Sequence, residues 1–242
     1  MHEPIINPPL CLKNLSRDAN DIFGNIQVSD TQKAEHEFRE EIAAQHYTDY
    51  LQEISKHHSI EVMDKEVKLF ISALPKHSVI CDVGGCWGWH WRNLHLYRPD
   101  INIVIVDFCK SNLLHAKKLL NDQTCKSIWL VHGDATQLEF DSESFHGYWS
   151  VQTLQHVPDF QKASLEAFRV LKEGGQFANY SLNHSSLIAI IYKLLGKKTY
   201  VRGGHYSNRF YLYRADKPQS LIISRLFNDN VQDRFTEILF KP

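Results

Sequence analysis

The chain has 242 residues, 43% of them hydrophobic and 23% charged, enough to bury one sizeable core with the composition of an ordinary globular protein. Twenty-seven basic against twenty-eight acidic side chains create no overall field that would recruit nucleic acid. Five cysteines without a C-x-x-C pair argue against a disulfide framework or a zinc ribbon, and favour a reducing, cytoplasmic setting.

The N-terminal stretch has no basic region followed by an apolar run, so no signal peptide is expected. No run approaches the roughly 18 apolar residues of a membrane span. The fourteen histidines fall into no metal-ligand spacing, and no metal is expected.

Residues 1–30 are rich in Pro and Asn and read as an irregular arm. Residues 31–55 read as an amphipathic helix, with Phe38, Ile42, Tyr50 and Ile54 near helical spacing. A second helix over 59–73 ends before the breaker Pro75. The pattern then changes. "SVICDV" (78–83) and "INIVIVDF" (101–108) are short apolar runs of the kind that form buried parallel strands. Between them a helix can open near Gly88. "SNLLHAKKLLN" reads as a helix with Ser111 as its N-cap. "SIWLVHGDA" and "FHGYWSVQTLQHV" supply a third and a fourth strand. "FQKASLEAFRVLKEGG" reads as a helix closed by glycines, and "QFANYSL" as a fifth strand. The tail "VQDRFTEILFKP" has the alternation of an edge strand. Alternating strands and helices give βαβ units, hence a doubly wound α/β fold with a mostly parallel sheet.

In such a sheet, ligands bind at the carboxyl ends of the strands. The turn after the first strand, "DVGGCWGW", brings the backbone close to whatever binds there. Its glycines, Gly84, Gly85 and Gly88, lack the G-x-G-x-x-G spacing of a dinucleotide site, and there is no G-K-[ST]. Asp82 precedes them, and a carboxylate there repels phosphate and suits a cation.

With Asp82, Gly84 and Gly88 in this order, the chain resembles the class I S-adenosylmethionine-dependent methyltransferases. Cys86 departs from that motif, standing where the family usually has its middle glycine. The resemblance continues through Asp107 at the end of the second strand, "HGDA" at the third, "WSVQTLQHVPD" at the fourth and "VLKEGGQF" before the fifth. It implies a Rossmann-like seven-stranded methyltransferase fold over 75–242, an N-terminal arm and helical cap over 1–74, and a cap insertion over 183–217. It implies S-adenosylmethionine as cofactor, with Asp107 at the ribose, Asp134 and Ala135 at the adenine, and Phe108 also in the cofactor site. Asp82, Gly84, Gly85, Gly88, Ser150 and Val151 would complete the cofactor site. The cofactor offers an ammonium, two hydroxyls and an exocyclic amine, all donors that carboxylates accept. Trp91 reads as core packing. Trp87, inside the turn, is a candidate to cover the methionine end, where its ring face suits a sulfonium.

Displacement at a sulfonium carbon relies largely on positioning. A hydroxyl acceptor also needs a base, and His156 is the candidate. Tyr180 and Asn183 follow the fifth strand and are expected to line the acceptor pocket. From Lys193 to Lys217 there are seven basic residues and one acid. They suggest an anionic or sugar-like small-molecule acceptor, methylated on O or N and gripped by Arg202, Arg209 or Arg214 beside Tyr206. The helical stretch 186–195 offers a weaker possibility of membrane-surface contact. A nucleic-acid methyltransferase is disfavoured by the charge and by the absence of an N-P-P-Y-like tetrapeptide. A non-catalytic cofactor-binding scaffold is the other alternative. The oligomeric state is open.

Overall fold

The computed structural model describes residues 8–24, 26, 28, 33, 36, 37, 40, 41, 59–120, 126–182, 207–213 and 222–226. For 59–62, 155, 181, 182, 207–213 and 222–226 it describes the backbone alone. Five parallel strands form the centre: β1 (Val79–Val83), β2 (Asn102–Asp107), β3 (Ile128–His132), β4 (Phe145–Val151) and β5 (Leu171–Leu182). They run in the order β3-β2-β1-β4-β5. Beyond β5 lie β6 (Ser207–Tyr213) and β7 (Ile222–Leu226), each antiparallel to its predecessor.

Among the described residues, the helices with both ends in view are α1 (Ser59–Ser72), α2 (Leu94–Tyr97), α3 (Lys110–Leu119) and α4 (Phe160–Val170). Strand alternation divides the apolar side chains between two faces. Cys81, Val83, Val104, Val106, Tyr148 and Phe177 pack with Ala163, Ala167 and Val170 of α4. Ile80, Ile103, Ile105, Trp149 and Ala178 pack with Val67, Phe70 and Ile71 of α1 and Leu113 and Ala116 of α3. The sheet is therefore covered on both sides, as the apolar strand runs require. The strand order reverses at β1, between β2 and β4, which opens a crevice at their carboxyl ends.

Several elements differ from the sequence reading. No regular helix opens at Gly88: a 3-10 turn, Trp89–Trp91, leads to the four-residue α2. Gly88 has φ +67°, outside the right-handed region a continuing helix needs. The glycine-closed end expected for α4 belongs instead to β5, which starts at Leu171. Pairing jumps from Phe145↔Leu171 to Gly147↔Gln176, so Lys172–Gly175 form a bulge. Ser111 is not the N-cap of α3: Cys109 holds that position without a side-chain cap bond. The amides of Lys110 and Ser111 instead donate to the Glu40 carboxylate, at 2.6 Å and 3.3 Å.

The N-terminal arm is packed against the sheet. Leu12, Ile22 and Phe23 are buried in the core. Phe23 pairs with β3: its amide donates to Leu130 O, and the His132 amide donates to Phe23 O, both at 2.8 Å. In the 31–55 stretch, positions 33, 36, 37, 40 and 41 are helical. The remainder of that stretch, and the tail 231–242, lie outside the described residues.

Candidate functional site

A cavity of about 380 Å³ opens at the carboxyl ends of β1 to β4. Its floor is Val83, Gly84 and Cys86, and β2 brings Asp107 and Phe108 to it. Asp134 and Ala135 follow β3, Val151 ends β4, and His156 stands at the rim in the 3-10 turn Leu154–His156. Seven of the expected site residues thus share one hollow: Gly84, Asp107, Phe108, Asp134, Ala135, Val151 and His156.

The turn is built on left-handed backbone. Gly84 has φ +70° and Gly88 +67°, and Cys86 between them has φ +51°. Cys86 therefore keeps the conformation that a glycine at its place would adopt freely, at a steric cost of about 1–2 kcal/mol. A Cβ on Gly84 would strike the Thr153 side chain, so the loop after β4 presses directly on the turn.

Asp107 is 6% exposed. Its Oδ2 accepts from the Cys86 amide at 2.9 Å, and its Oδ1 from the Cys109 amide at 2.9 Å and Asn112 Nδ2 at 3.1 Å. Burial pushes its carboxyl above the usual range, against these hydrogen bonds; the nearby Glu40 charge adds to the rise. The Asp134 Oδ1 accepts from the Thr136 amide at 2.8 Å, which fixes the turn after β3.

Asp82 does not line this cavity. It is 1% exposed, and Oδ2 accepts from Trp91 Nε1 at 2.6 Å. Alternation explains the placement: Cys81 and Val83 face α4, so Asp82 points to the opposite side. A Cβ on Gly85 would strike that same oxygen, so the carboxylate lies directly beneath the turn backbone. Gly85, Gly88 and Ser150 support the site from behind its wall. Ser150 Oγ donates to Val83 O at 3.0 Å.

The three tryptophans at 87, 89 and 91, out of five in the chain, have three environments. Trp91 is fully buried. Trp87 lies outside the cavity wall, donating from Nε1 to Asn112 Oδ1 at 3.1 Å, with its ring 5.8 Å from His115. Trp89 sits under the Arg92 guanidinium, 4.4 Å from its ring centre.

Tyr180 is buried and does not line this cavity. Its hydroxyl donates to Glu66 of α1 at 2.9 Å. The backbone of Arg209 pairs with Tyr180 across β5 and β6. Asn183, Arg202, Tyr206 and Arg214 lie outside the described residues.

Among the lining residues not anticipated are Cys109, Asn112, Gln152 and Thr153. Asn112 lies five positions past Asp107, in the first turn of a helix, a spacing that returns a side chain to the strand end. Gln152 carries φ +54° directly after β4, which no composition rule marks. Among the described residues no group of His, Cys, Asp and Glu is arranged to hold a metal ion, and no helix is long and apolar enough to cross a membrane.

Residues 81–179 match a protein family described as a methyltransferase domain. A mitochondrial 2-methoxy-6-polyprenyl-1,4-benzoquinol methylase of Arabidopsis thaliana is 38% identical over 89 residues, 37% of this chain and 30% of that protein. A chloroplastic 2-methyl-6-phytyl-1,4-hydroquinone methyltransferase of Spinacia oleracea is 30% identical over 101 residues, 42% of this chain and 28% of that one. The chain therefore spans less than a third of the length of these relatives. The solved structure of the YcgJ protein from Bacillus subtilis is 22% identical over 58% of each chain, with a TM-score of 0.45.

Proposed function

We propose that this chain, whose residues 81–179 form a class I S-adenosylmethionine-dependent methyltransferase domain, transfers a methyl group from that cofactor to a small-molecule acceptor. The meeting of Asp107, Asp134 and the Gly84 turn at one hollow carries the reading. The residues fit the cofactor. Two carboxylates at successive strand ends offer acceptors for hydroxyls and for an exocyclic amine. Asp107 would hold the ribose, and Asp134 with Ala135 the adenine. The Asp82 carboxyl lies beneath Gly85, behind the end that would receive the ammonium and sulfonium. When bound, the cofactor supplies an electrophilic methyl on a positively charged sulfur. The chain's part is to orient the acceptor, to exclude water and, with His156, to take a proton.

The named relatives are quinol and hydroquinone methyltransferases, so a hydroxylated ring compound is the acceptor we favour. Seven basic residues against one acid over 193–217 support a second reading, an anionic or sugar-like acceptor held by Arg202, Arg209 or Arg214 and methylated on O or N. In either case residues 183–217 would form the far wall of the site, on a sheet of seven strands, with any cap from the N-terminal part drawn from the stretch between the arm and α1. Five cysteines without a C-x-x-C pair are the ground for a reducing, cytoplasmic location.

Calorimetric titration with S-adenosylmethionine and S-adenosylhomocysteine tests the reading, followed by transfer of labelled methyl to hydroquinones and to phosphorylated sugars. Saturable binding of both compounds and transfer to one acceptor class are expected. Absence of heat with either compound would overturn it, and binding without transfer to any acceptor would favour a scaffold.

A further inference from the structure

We infer that Asn112 reads the ribose diol jointly with Asp107, and that Trp87 fixes the orientation in which it does so. The inference rests on the cofactor reading above and adds the residues that discriminate the sugar.

An ionised carboxylate has about four lone-pair positions. The chain's own donors take three of those on Asp107: the Cys86 amide at Oδ2, and the Cys109 amide and Asn112 Nδ2 at Oδ1. One position is left, on Oδ2. A ribose presents two neighbouring hydroxyls, and Asp107 cannot accept from both while these bonds persist.

Asn112 lines the same cavity. Its amide group has two hydrogens and its carbonyl two lone pairs. One hydrogen goes to Asp107 and one lone pair to Trp87, which leaves one of each for a ligand. The second hydroxyl therefore belongs to Asn112, beside the first on Asp107.

The amide cannot turn over. An indole N–H only donates and a carboxylate only accepts. The Asn112 oxygen must therefore face Trp87, and its NH₂ must face Asp107. A flipped amide would break both bonds at once, so this assignment follows from the partners alone. Trp87 is 6% exposed and packed against His115, which holds the donor in place. The aromatic residue inside the glycine turn thus acts through Asn112 instead of covering the ligand.

The ligand class that such a pair selects is a nucleoside with both ribose hydroxyls. Binding of adenosine, 2′-deoxyadenosine and 3′-deoxyadenosine to the full chain tests this, with S-adenosylhomocysteine as reference. The wild type is expected to prefer adenosine over each deoxy compound by about tenfold, the scale of one hydrogen bond with a charged or tightly held partner. Asn112→Leu should bring the preference over one deoxy compound to near unity while the other is retained. Trp87→Phe should lower the same preference without removing the packing, an effect that a purely structural role would not produce. Equal binding of all three nucleosides by the wild type overturns the inference without any variant, and so does full discrimination in Asn112→Leu. If neither the nucleosides nor S-adenosylhomocysteine bind, the functional reading falls and the inference with it. If S-adenosylhomocysteine binds but no diol preference exists, the inference alone falls.

Discussion

Trp91 donates from its indole nitrogen to the carboxylate of Asp82 at 2.6 Å, nine residues away in the chain and wholly inside the core. Burial pushes the Asp82 carboxyl up to about 7, the Trp91 bond opposes the rise, and the neighbouring Asp107 charge reinforces it.

This group should make stability fall with pH. The folded chain keeps a proton on Asp82 that the unfolded chain has released, so between about pH 4 and 7 the folded state binds more protons and loses stability as pH rises. Above pH 7 the contribution is flat. A shift of this size is on the order of 4 kcal/mol at full expression. Urea denaturation of the wild type and Asp82→Asn at pH 5 and pH 7.5 measures it. The difference between the two proteins should move in favour of the asparagine variant at the higher pH, and a constant difference would refute the assignment.

Glu40 reaches the first turn of α3 from 70 positions upstream. Its carboxylate accepts from two of the amides that a helix start leaves without partners. Glu40→Ala should cost about 1 kcal/mol, as for the loss of other N-terminal caps. Hydrogen exchange at the Lys110 and Ser111 amides should accelerate, while the β-strand amides stay protected. Unchanged exchange at those two positions would count against the cap.

Cys86 and Gly84 share left-handed backbone and should respond differently to substitution. Cys86→Gly relieves local strain but adds freedom to the unfolded chain, so melting should change by less than the equivalent of about 1 kcal/mol. Gly84→Ala meets Thr153 as well as an unfavourable φ, and should destabilise by about 2 kcal/mol or more. Thermal unfolding of both variants tests the contrast, and equal effects would contradict it.

His156 lines the cavity from an exposed turn and can be removed without opening the core. If it serves as the base, His156→Ala should lower kcat by about 10²-fold or more while cofactor affinity changes less than about threefold. A rise in the cofactor Kd with kcat intact would instead make it a binding residue.

The strands were legible because a buried parallel strand is a continuous apolar run, and 102–107 and 128–132 carry one. The boundary between α4 and β5 was not. "LKEGG" suits a helix end locally, and only pairing with Phe145 shows it to be strand with a bulge. Asp107 and Asp134, two of the acids that line the cavity, were readable as strand-end residues. Asp82 was expected at the cofactor and instead points away from the cavity, as the period of two along β1 requires, and its partner Trp91 depended on a 3-10 turn that no periodicity announces. The cap of α3 was beyond local reading, since its carboxylate comes from a distant helix. Asn112 was within reach as a helix first-turn residue, but its partnership with Trp87 needed the fold.

The pairing of Phe23 with Val131 has a consequence for the edge of the sheet. β3 ends the sheet on that side, and an uncovered edge strand is a template on which another chain can add. The short bridge at Phe23, with Arg17 folded back upon it, blunts that edge. Deleting residues 1–24 should leave the β3 margin open to pairing with another chain, while the crevice between β2 and β4 stays as it is.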